Sequence, residues 1–211
     1  MSIAFADIAF TPSVKAAQQR YGSRDANRSF ELAEDARNEL TERETRFIAA
    51  RDSFYQATVS ESSWPYVQHR GGPAGFLKAL DARTLGYADF RGNVQYLSAG
   101  NVAVNARVSL ILMDYANRRR LKLWGRARIV HATDDPALLA QLETPVYRGR
   151  VERAIVIRVE AVDWNCPQHI TRRFTRAEVE RQMAPLIEEN CALKAQLAQL
   201  SAPENAARAD A

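Results

Sequence analysis

The segment YADFRGNVQY, residues 87–96, joins the end of a strand to the start of a helix. The strand pattern stops near Asp89, Arg91 and Gly92 form a tight turn, and a short helix is predicted over about 94–105. A helix start presents free backbone amides and the positive end of the helix dipole, to which a guanidinium adds charged donors. The segment therefore indicates a site for a phosphate monoester, and it equally fits an ordinary connection with a surface arginine.

Strand patterns lie on both sides of this segment. The predicted strands cover residues 54–60, 66–70, 76–80, 84–89, 107–114, 120–133 and 154–164. The nearly continuous apolar run 107–114 predicts a central strand buried on both faces. The long strand 120–133 is expected to bend near Gly125. Because turn signals recur between these strands, we predict a mainly β fold, a six- to seven-stranded antiparallel barrel with flanking helices.

A helical N-terminal arm is predicted over residues 1–43. Pro12 is placed to open one of its helices and Gly22 to end that helix. Thr41 and Glu44 have the capping-box spacing, which marks the start of the next helix. We expect the arm to wrap the barrel or a partner subunit.

A C-terminal helix is predicted over residues 175–203, followed by a disordered tail at 204–211. Thr175 and Glu178 repeat the capping-box spacing. A heptad seam follows, at Val179, Met183, Leu186, Asn190, Leu193, Leu197 and Leu200. Pro185 is expected to kink the helix, and about two heptads follow it. The helix either packs on its own barrel or pairs with a second copy.

The composition is that of a globular chain. Of its 211 residues 46% are hydrophobic and 26% charged, and no apolar run reaches membrane-spanning length, so we expect a cytoplasmic protein with one main domain and no membrane contact. The net charge of +4 comes from scattered arginines without a nucleic-acid-binding motif, which disfavours a nucleic-acid partner. The spacing of the two cysteines fits neither a disulfide framework nor a metal site.

Two further segments could bind a ligand. In PYVQHRGG, residues 65–72, strand alternation puts Gln68 and Arg70 on one face and His69 on the other, and the glycines permit close approach of a flat ligand. In WNCPQH, residues 164–169, an aromatic ring, an amide, a thiol and an imidazole follow the last strand, where function is often housed. The alternative for the second segment is a packed loop.

The order of these three segments, after a helix over 41–51, resembles the pyridoxamine 5′-phosphate oxidase-like FMN-binding split-barrel family over roughly residues 44–174. The resemblance implies a split β-barrel and an obligate homodimer with FMN in the cleft between subunits. It also implies that strand two and the turn before the short helix hold the phosphate, while the tryptophan segment comes from the partner.

Carried over by position, the resemblance implies a set of cofactor-binding residues. Gln68 stands where the family usually has an arginine, Arg91 would be the main phosphate partner, and Leu121 replaces a usual glutamine. The implied residues are Gln68, Arg70, Asp89, Phe90, Arg91, Gly92, Asn93, Gln95, Lys122, Trp164 and Arg173.

The positions that hold the substrate in true oxidases of the family differ in this chain. They are His169, Thr171 and Pro73 here, so we expect flavin binding to be kept and vitamin B6 oxidation to be lost. The leading hypothesis is an FMN-dependent oxidoreductase, with His169 or Cys166 as candidate catalytic residues. The alternatives are a relative that binds haem, through His69 or His169, or the deazaflavin F420, and a non-catalytic flavin-binding dimer module.

Overall fold

The computed structural model describes residues 4–32, 36–144, 147–164 and 166–201. Within these residues seven antiparallel strands form one sheet: β1 Ser53–Val59, β2 Pro65–Gly71, β3 Lys78–Asp81, β4 Thr84–Phe90, β5 Arg107–Asp114, β6 Arg119–His131 and β7 Val151–Trp164. The helices are α1 Ala4–Ala9, α2 Pro12–Arg20, α3 Arg24–Leu32, α4 Glu42–Ala49, α5 Leu97–Val104, α6 Pro136–Leu142 and α7 Arg176–Ser201. The described residues up to Ile170 form one compact unit, and those from Thr171 form a second.

The sheet curls around its main apolar core without closing, and a smaller apolar cluster packs α6 against the sheet. Its strand order is β2-β1-β5-β6-β7-β4-β3, so β2 and β3 are its two edges. Phe54, Tyr87, Leu110 and Leu123 from four different strands are buried together in the core. The prediction of an antiparallel split barrel with six or seven strands is confirmed, and the split lies between β2 and the β3–β4 hairpin.

Strand β5 is central in the sheet, as predicted, but it is buried on one face only. Val108, Leu110 and Leu112 are buried in the core, whereas Ile111 and Met113 on the other face are half-buried. The prediction of burial on both faces is wrong because an apolar run does not show which face meets the core. The half-buried residues belong to the outer surface of the barrel.

The long strand β6 bends at Gly125, as predicted. Its register with β7 shifts between Trp124 and Gly125. A Cβ atom at Gly125 would lie 2.3 Å from the carbonyl oxygen of Arg158 on β7. Only glycine permits this approach of two backbones, and the bulge lets one strand serve two sides of the barrel.

Three predicted helix starts are confirmed, and the start of a fourth is wrong. Pro12 is the first residue of α2, as predicted. Thr41 and Glu44 form the capping box of α4, and Thr175 exchanges hydrogen bonds with Glu178 before α7. Helix α5 begins at Leu97 instead of near residue 94. Val94 and Tyr96 both have a φ of 55°, a left-handed conformation that a continuous right-handed helix cannot contain.

The N-terminal arm contacts the outer face of the sheet. The ring of Phe5 in α1 packs against Trp124 of β6 with 5.1 Å between the ring centroids, and the Lys122 ammonium lies 4.4 Å from the Phe5 ring. Next to α4, the Leu40 amide donates to the carbonyl oxygen of Ala82 in the β3–β4 turn. The arm therefore packs on its own barrel.

The second unit contains α7, which continues through Pro185. None of the described helices combines the length and the apolar character needed to span a bilayer. The disordered tail predicted for residues 204–211 lies outside the described residues.

Candidate functional site

A polar recess lies at the split of the barrel, where one aspartate meets two arginines. Arg70 of β2 places Nη1 2.5 Å from Oδ1 of Asp89 on β4, so this ion pair joins the two sides of the split. Arg153 of β7 places Nε 3.3 Å from the other carboxylate oxygen of Asp89. Asp89 and Arg153 are paired across the β4–β7 ladder, which fixes their separation.

The charges of the recess are buried and incompletely paired. Burial raises the pKa of Asp89 above its usual value, although the guanidiniums of Arg70 and Arg153 oppose this rise. The Nε atoms of both arginines are buried and make no hydrogen bond among the described residues. That of Arg153 lies within ion-pair distance of Asp89 but outside hydrogen-bond geometry. Each arginine therefore retains an N–H that can donate to an additional acceptor. Because an unsatisfied buried donor is costly, binding such an acceptor would be favourable.

The first turn of α5 forms another wall of this recess. Leu97, Ser98 and Ala99 line it, and the amides of a first helical turn have no acceptor inside their own helix. The side chain of Tyr96, which precedes α5, does not cap these amides. The Ser98 hydroxyl donates to Oε1 of Gln68 over 2.8 Å, which ties β2 to the start of the helix.

The turn before α5 closes the recess from outside. The backbone N–H of Gln95 donates to Oδ1 of Asn93, and the side-chain Nδ2 of Asn93 donates to Oε1 of Gln95. Arg91 places Nε 3.9 Å from Oε1 of Glu152, and its side chain is 49% exposed, against 13% for Arg153. The better-shielded cation of the recess is therefore Arg153.

The structure brings together most of the residues that the resemblance implied. Seven of them line the recess: Gln68, Arg70, Asp89, Phe90, Gly92, Asn93 and Gln95. Arg91 lies at the rim, between Phe90 and Gly92. His69 points away and packs against Tyr55, with 5.5 Å between ring centroids, as strand alternation predicts.

Lys122 and Trp164 lie elsewhere in the same chain. Lys122 is on the outer face of the sheet, where its ammonium is 2.8 Å from Oδ2 of Asp163. Trp164 donates its indole N–H to Glu44 and packs edge-on against Phe47, with ring centroids 4.8 Å apart. One chain alone does not assemble these two residues with the recess.

Glu44 links Trp164 to Thr41 at the end of the arm. Burial would raise the pKa of this carboxyl, but hydrogen bonds from Thr41 and Trp164 outweigh burial and lower it. The guanidinium of Arg43 stacks over the Trp164 ring at 4.4 Å, and that of Arg119 does so at 4.9 Å. The indole is therefore enclosed by its own chain.

The remaining candidates lie after β7. Cys166 and His169 are exposed, and the Cys166 sulfur accepts a hydrogen bond from the Gln168 amide over 3.4 Å. Arg173 belongs to the second unit. Leu121, at the position of the family's glutamine, is fully buried in the core.

Sequence reasoning missed Arg153 and Glu152. The last strand was predicted from residue 154, whereas β7 begins at Val151. Alternation extended back from Ile155 puts Arg153 on the core-facing side, next to Asp89. The sequence signal for Arg153 as a site residue is a charged side chain that strand alternation places on the core-facing side of β7.

The comparisons with known proteins agree with this fold. The seven-stranded antiparallel sheet that curls without closing places this chain in the class of split-barrel proteins. The model of the family described as pyridoxamine 5′-phosphate oxidase matches residues 40–164, more than half of the 211 residues. The chain therefore belongs to the pyridoxamine 5′-phosphate oxidase family. A comparison with curated proteins gave no match.

Three solved structures are similar to this chain at low sequence identity. HupZ from Group A Streptococcus is 15% identical with a TM-score of 0.50, over 64% of this chain and 99% of HupZ. A candidate pyridoxamine 5′-phosphate oxidase from Lactobacillus delbrueckii is 22% identical with a TM-score of 0.47, over 60% of this chain and 94% of that one. An FMN-binding protein from Syntrophomonas wolfei is 11% identical with a TM-score of 0.45, over 72% and 96%.

Proposed function

We propose that this chain binds FMN, with the flavin's phosphate in the recess at the split of the barrel, and that it serves as an FMN-dependent oxidoreductase. The observation that carries the proposal is the pair of buried Nε atoms of Arg70 and Arg153 that make no hydrogen bond, beside the uncapped start of α5. Membership of the pyridoxamine 5′-phosphate oxidase family supports the same assignment.

The donors of the recess suit a phosphate monoester better than a neutral ligand. Arg70, Arg153 and Arg91 supply three guanidiniums against the two carboxylates of Asp89 and Glu152, which leaves one excess positive charge. A phosphate carries several strong acceptor oxygens, and both guanidiniums and first-turn amides bind such groups. Arg70 and Arg153 would hold the phosphate, and the amides of the first turn of α5 would complete its hydrogen bonds.

The bound flavin would supply the hydride or electron transfer, and the protein would position it and shield it from water. The chain's own residues fix the recess in place. The Arg70–Asp89 ion pair holds the split at one width, and the hydrogen bond between Ser98 and Gln68 fixes the start of α5 against β2.

We propose further that the active form is a homodimer. The outer face of the sheet exposes apolar side chains on neighbouring strands, among them Tyr55, at 41%, and Val67, at 59%. Ile111, the direct neighbour of Tyr55, is half-buried on the same face. A second copy that covers this face would bury a contiguous apolar patch, which monomeric proteins rarely expose.

The test is a titration of the purified apoprotein with FMN, riboflavin, F420 and haemin, followed by absorbance and fluorescence, with native mass measured before and after addition. The proposal predicts one FMN per subunit in a dimer, and riboflavin bound more weakly because it lacks the phosphate. Equal affinity for FMN and riboflavin would contradict the phosphate site. Binding of haemin or F420 in place of FMN would contradict the cofactor assignment, and a monomer that binds FMN would contradict only the dimer.

A further inference from the structure

We propose that α7 forms a parallel, in-register, two-stranded coiled coil with α7 of a second copy. This contact is separate from the barrel and does not depend on FMN. The apolar residues of α7 are exposed in the single chain, with Leu186 at 58% and Leu197 at 61%. Exposed apolar residues on one side of a long helix indicate a surface that is covered by another molecule.

The seam has the spacing of a coiled coil along the whole helix. Its d positions are Val179, Leu186, Leu193 and Leu200, and its a positions are Met183, Asn190 and Leu197. The 26 residues of α7 correspond to a rod about 39 Å long at the usual rise of 1.5 Å per residue. Pro185 falls at a c position outside the seam, and α7 continues through it, so its ring does not enter the predicted contact.

Asn190 identifies the kind of partner. It is the polar a position of the seam, between Met183 and Leu197, and its amide would be buried if the seam met an apolar surface. Paired with the same amide of a second copy it gains a hydrogen-bonding partner, and a single asparagine at an a position specifies register and oligomer state. A second copy in register therefore fits this seam better than an apolar groove of another protein.

The charges beside the seam indicate a parallel orientation. Glu189 lies at a g position and Lys194 at the e position of the following heptad, five residues later. In a parallel pair these are the positions that face each other across the interface, so each dimer would contain two such ion pairs. Neither residue forms an ion pair with another residue in the described part of its own chain.

Disulfide trapping in the full-length protein tests the proposal. In a background with Cys166→Ser and Cys191→Ser, Leu197→Cys places a thiol in the seam near one end of α7, and Ala195→Cys places a control thiol at an f position on the far side. A disulfide needs Cβ atoms about 3.5–4.5 Å apart, which only the seam position can reach in a parallel pair. We expect a disulfide-linked dimer for Leu197→Cys and no linked dimer for Ala195→Cys.

Charge variants in the Leu197→Cys background keep the apolar seam otherwise unchanged. Lys194→Glu sets like charges opposite each other and should lower the linked fraction, and adding Glu189→Lys should restore it. Equal linking at positions 195 and 197, or linking at neither, would overturn the proposal. An unchanged disulfide-linked fraction in both charge variants would overturn the parallel register. Because trapping is measured without FMN, its outcome is independent of cofactor binding.

Discussion

Replacing Arg153 with glutamine should weaken the binding of FMN much more than that of riboflavin. The Arg153 side chain is 13% exposed, and its guanidinium lies beside Asp89 with a buried Nε that makes no hydrogen bond. Glutamine keeps a polar side chain of moderate length but removes the positive charge. The change therefore removes a charged donor from the proposed phosphate site while leaving the backbone of β7 in place.

The expected magnitude follows from the contact that is lost. A hydrogen bond to a charged group contributes about 1.5–3 kcal/mol, which corresponds to a roughly 10- to 150-fold increase in the Kd for FMN. Riboflavin lacks the phosphate, so its Kd should change by less than about threefold on the same scale. Quenching of flavin fluorescence measures both constants in the same protein.

Arg128→Gln is the matched control, because Arg128 is an exposed arginine on β6, outside the recess. This variant should bind FMN like the unaltered protein. Arg91→Gln should have a smaller effect than Arg153→Gln because the Arg91 side chain is 49% exposed. An FMN Kd that is unchanged in Arg153→Gln, or a parallel loss of riboflavin affinity, would refute the assignment of Arg153 to the phosphate.

Three further predictions concern the bulge of β6, the capping box of α4 and the substrate. Gly125→Ala should destabilise the fold by about 1–3 kcal/mol, because the new Cβ would meet the β7 backbone. The control Gly100→Ala should not destabilise it, because the space around that Cβ is open. Urea unfolding compares the two variants. Glu44→Gln should cost about 1.5–3 kcal/mol at pH 7, and Glu42→Gln much less, because Glu44 is buried and hydrogen-bonded. Since folding lowers the pKa of Glu44, its contribution is complete above pH 4.5 and lost as the pH falls through the folded-state pKa, so unfolding curves of the Gln variant and the unaltered protein should converge in acid. Hydrogen peroxide release should show no steady oxidation of pyridoxamine 5′-phosphate, and turnover at ordinary enzyme rates would contradict this.

Local features of the fold were predictable from the sequence. The capping boxes at Thr41 and Thr175, the bend at Gly125 and the shared face of Gln68 and Arg70 each depend on residues close together in the chain. Such features are set by short-range hydrogen bonds, glycine geometry or strand alternation. The order of the three segments indicated the family, and the family match confirms that resemblance.

The parts that could not be predicted depend on pairing between distant strands. Arg153 reaches Asp89 only through the register of β4 and β7, which the sequence of neither strand fixes alone. The late start of α5 depends on left-handed conformations at Val94 and Tyr96, residue types that rarely adopt them. Arg91, which the resemblance implied as the main phosphate partner, stays a prediction, and its 49% exposed side chain is the reason to expect a smaller contribution than that of Arg153.

A crystal structure of the protein with FMN tests the central claim most directly. The account predicts phosphate oxygens at charge-assisted hydrogen-bond distances, about 2.7–2.9 Å, from the guanidiniums of Arg70 and Arg153, beside the first turn of α5. A phosphate bound outside the recess, for example beside Lys122 on the outer face or next to Trp164, with Arg70 and Arg153 still bound only to their carboxylates, would contradict it.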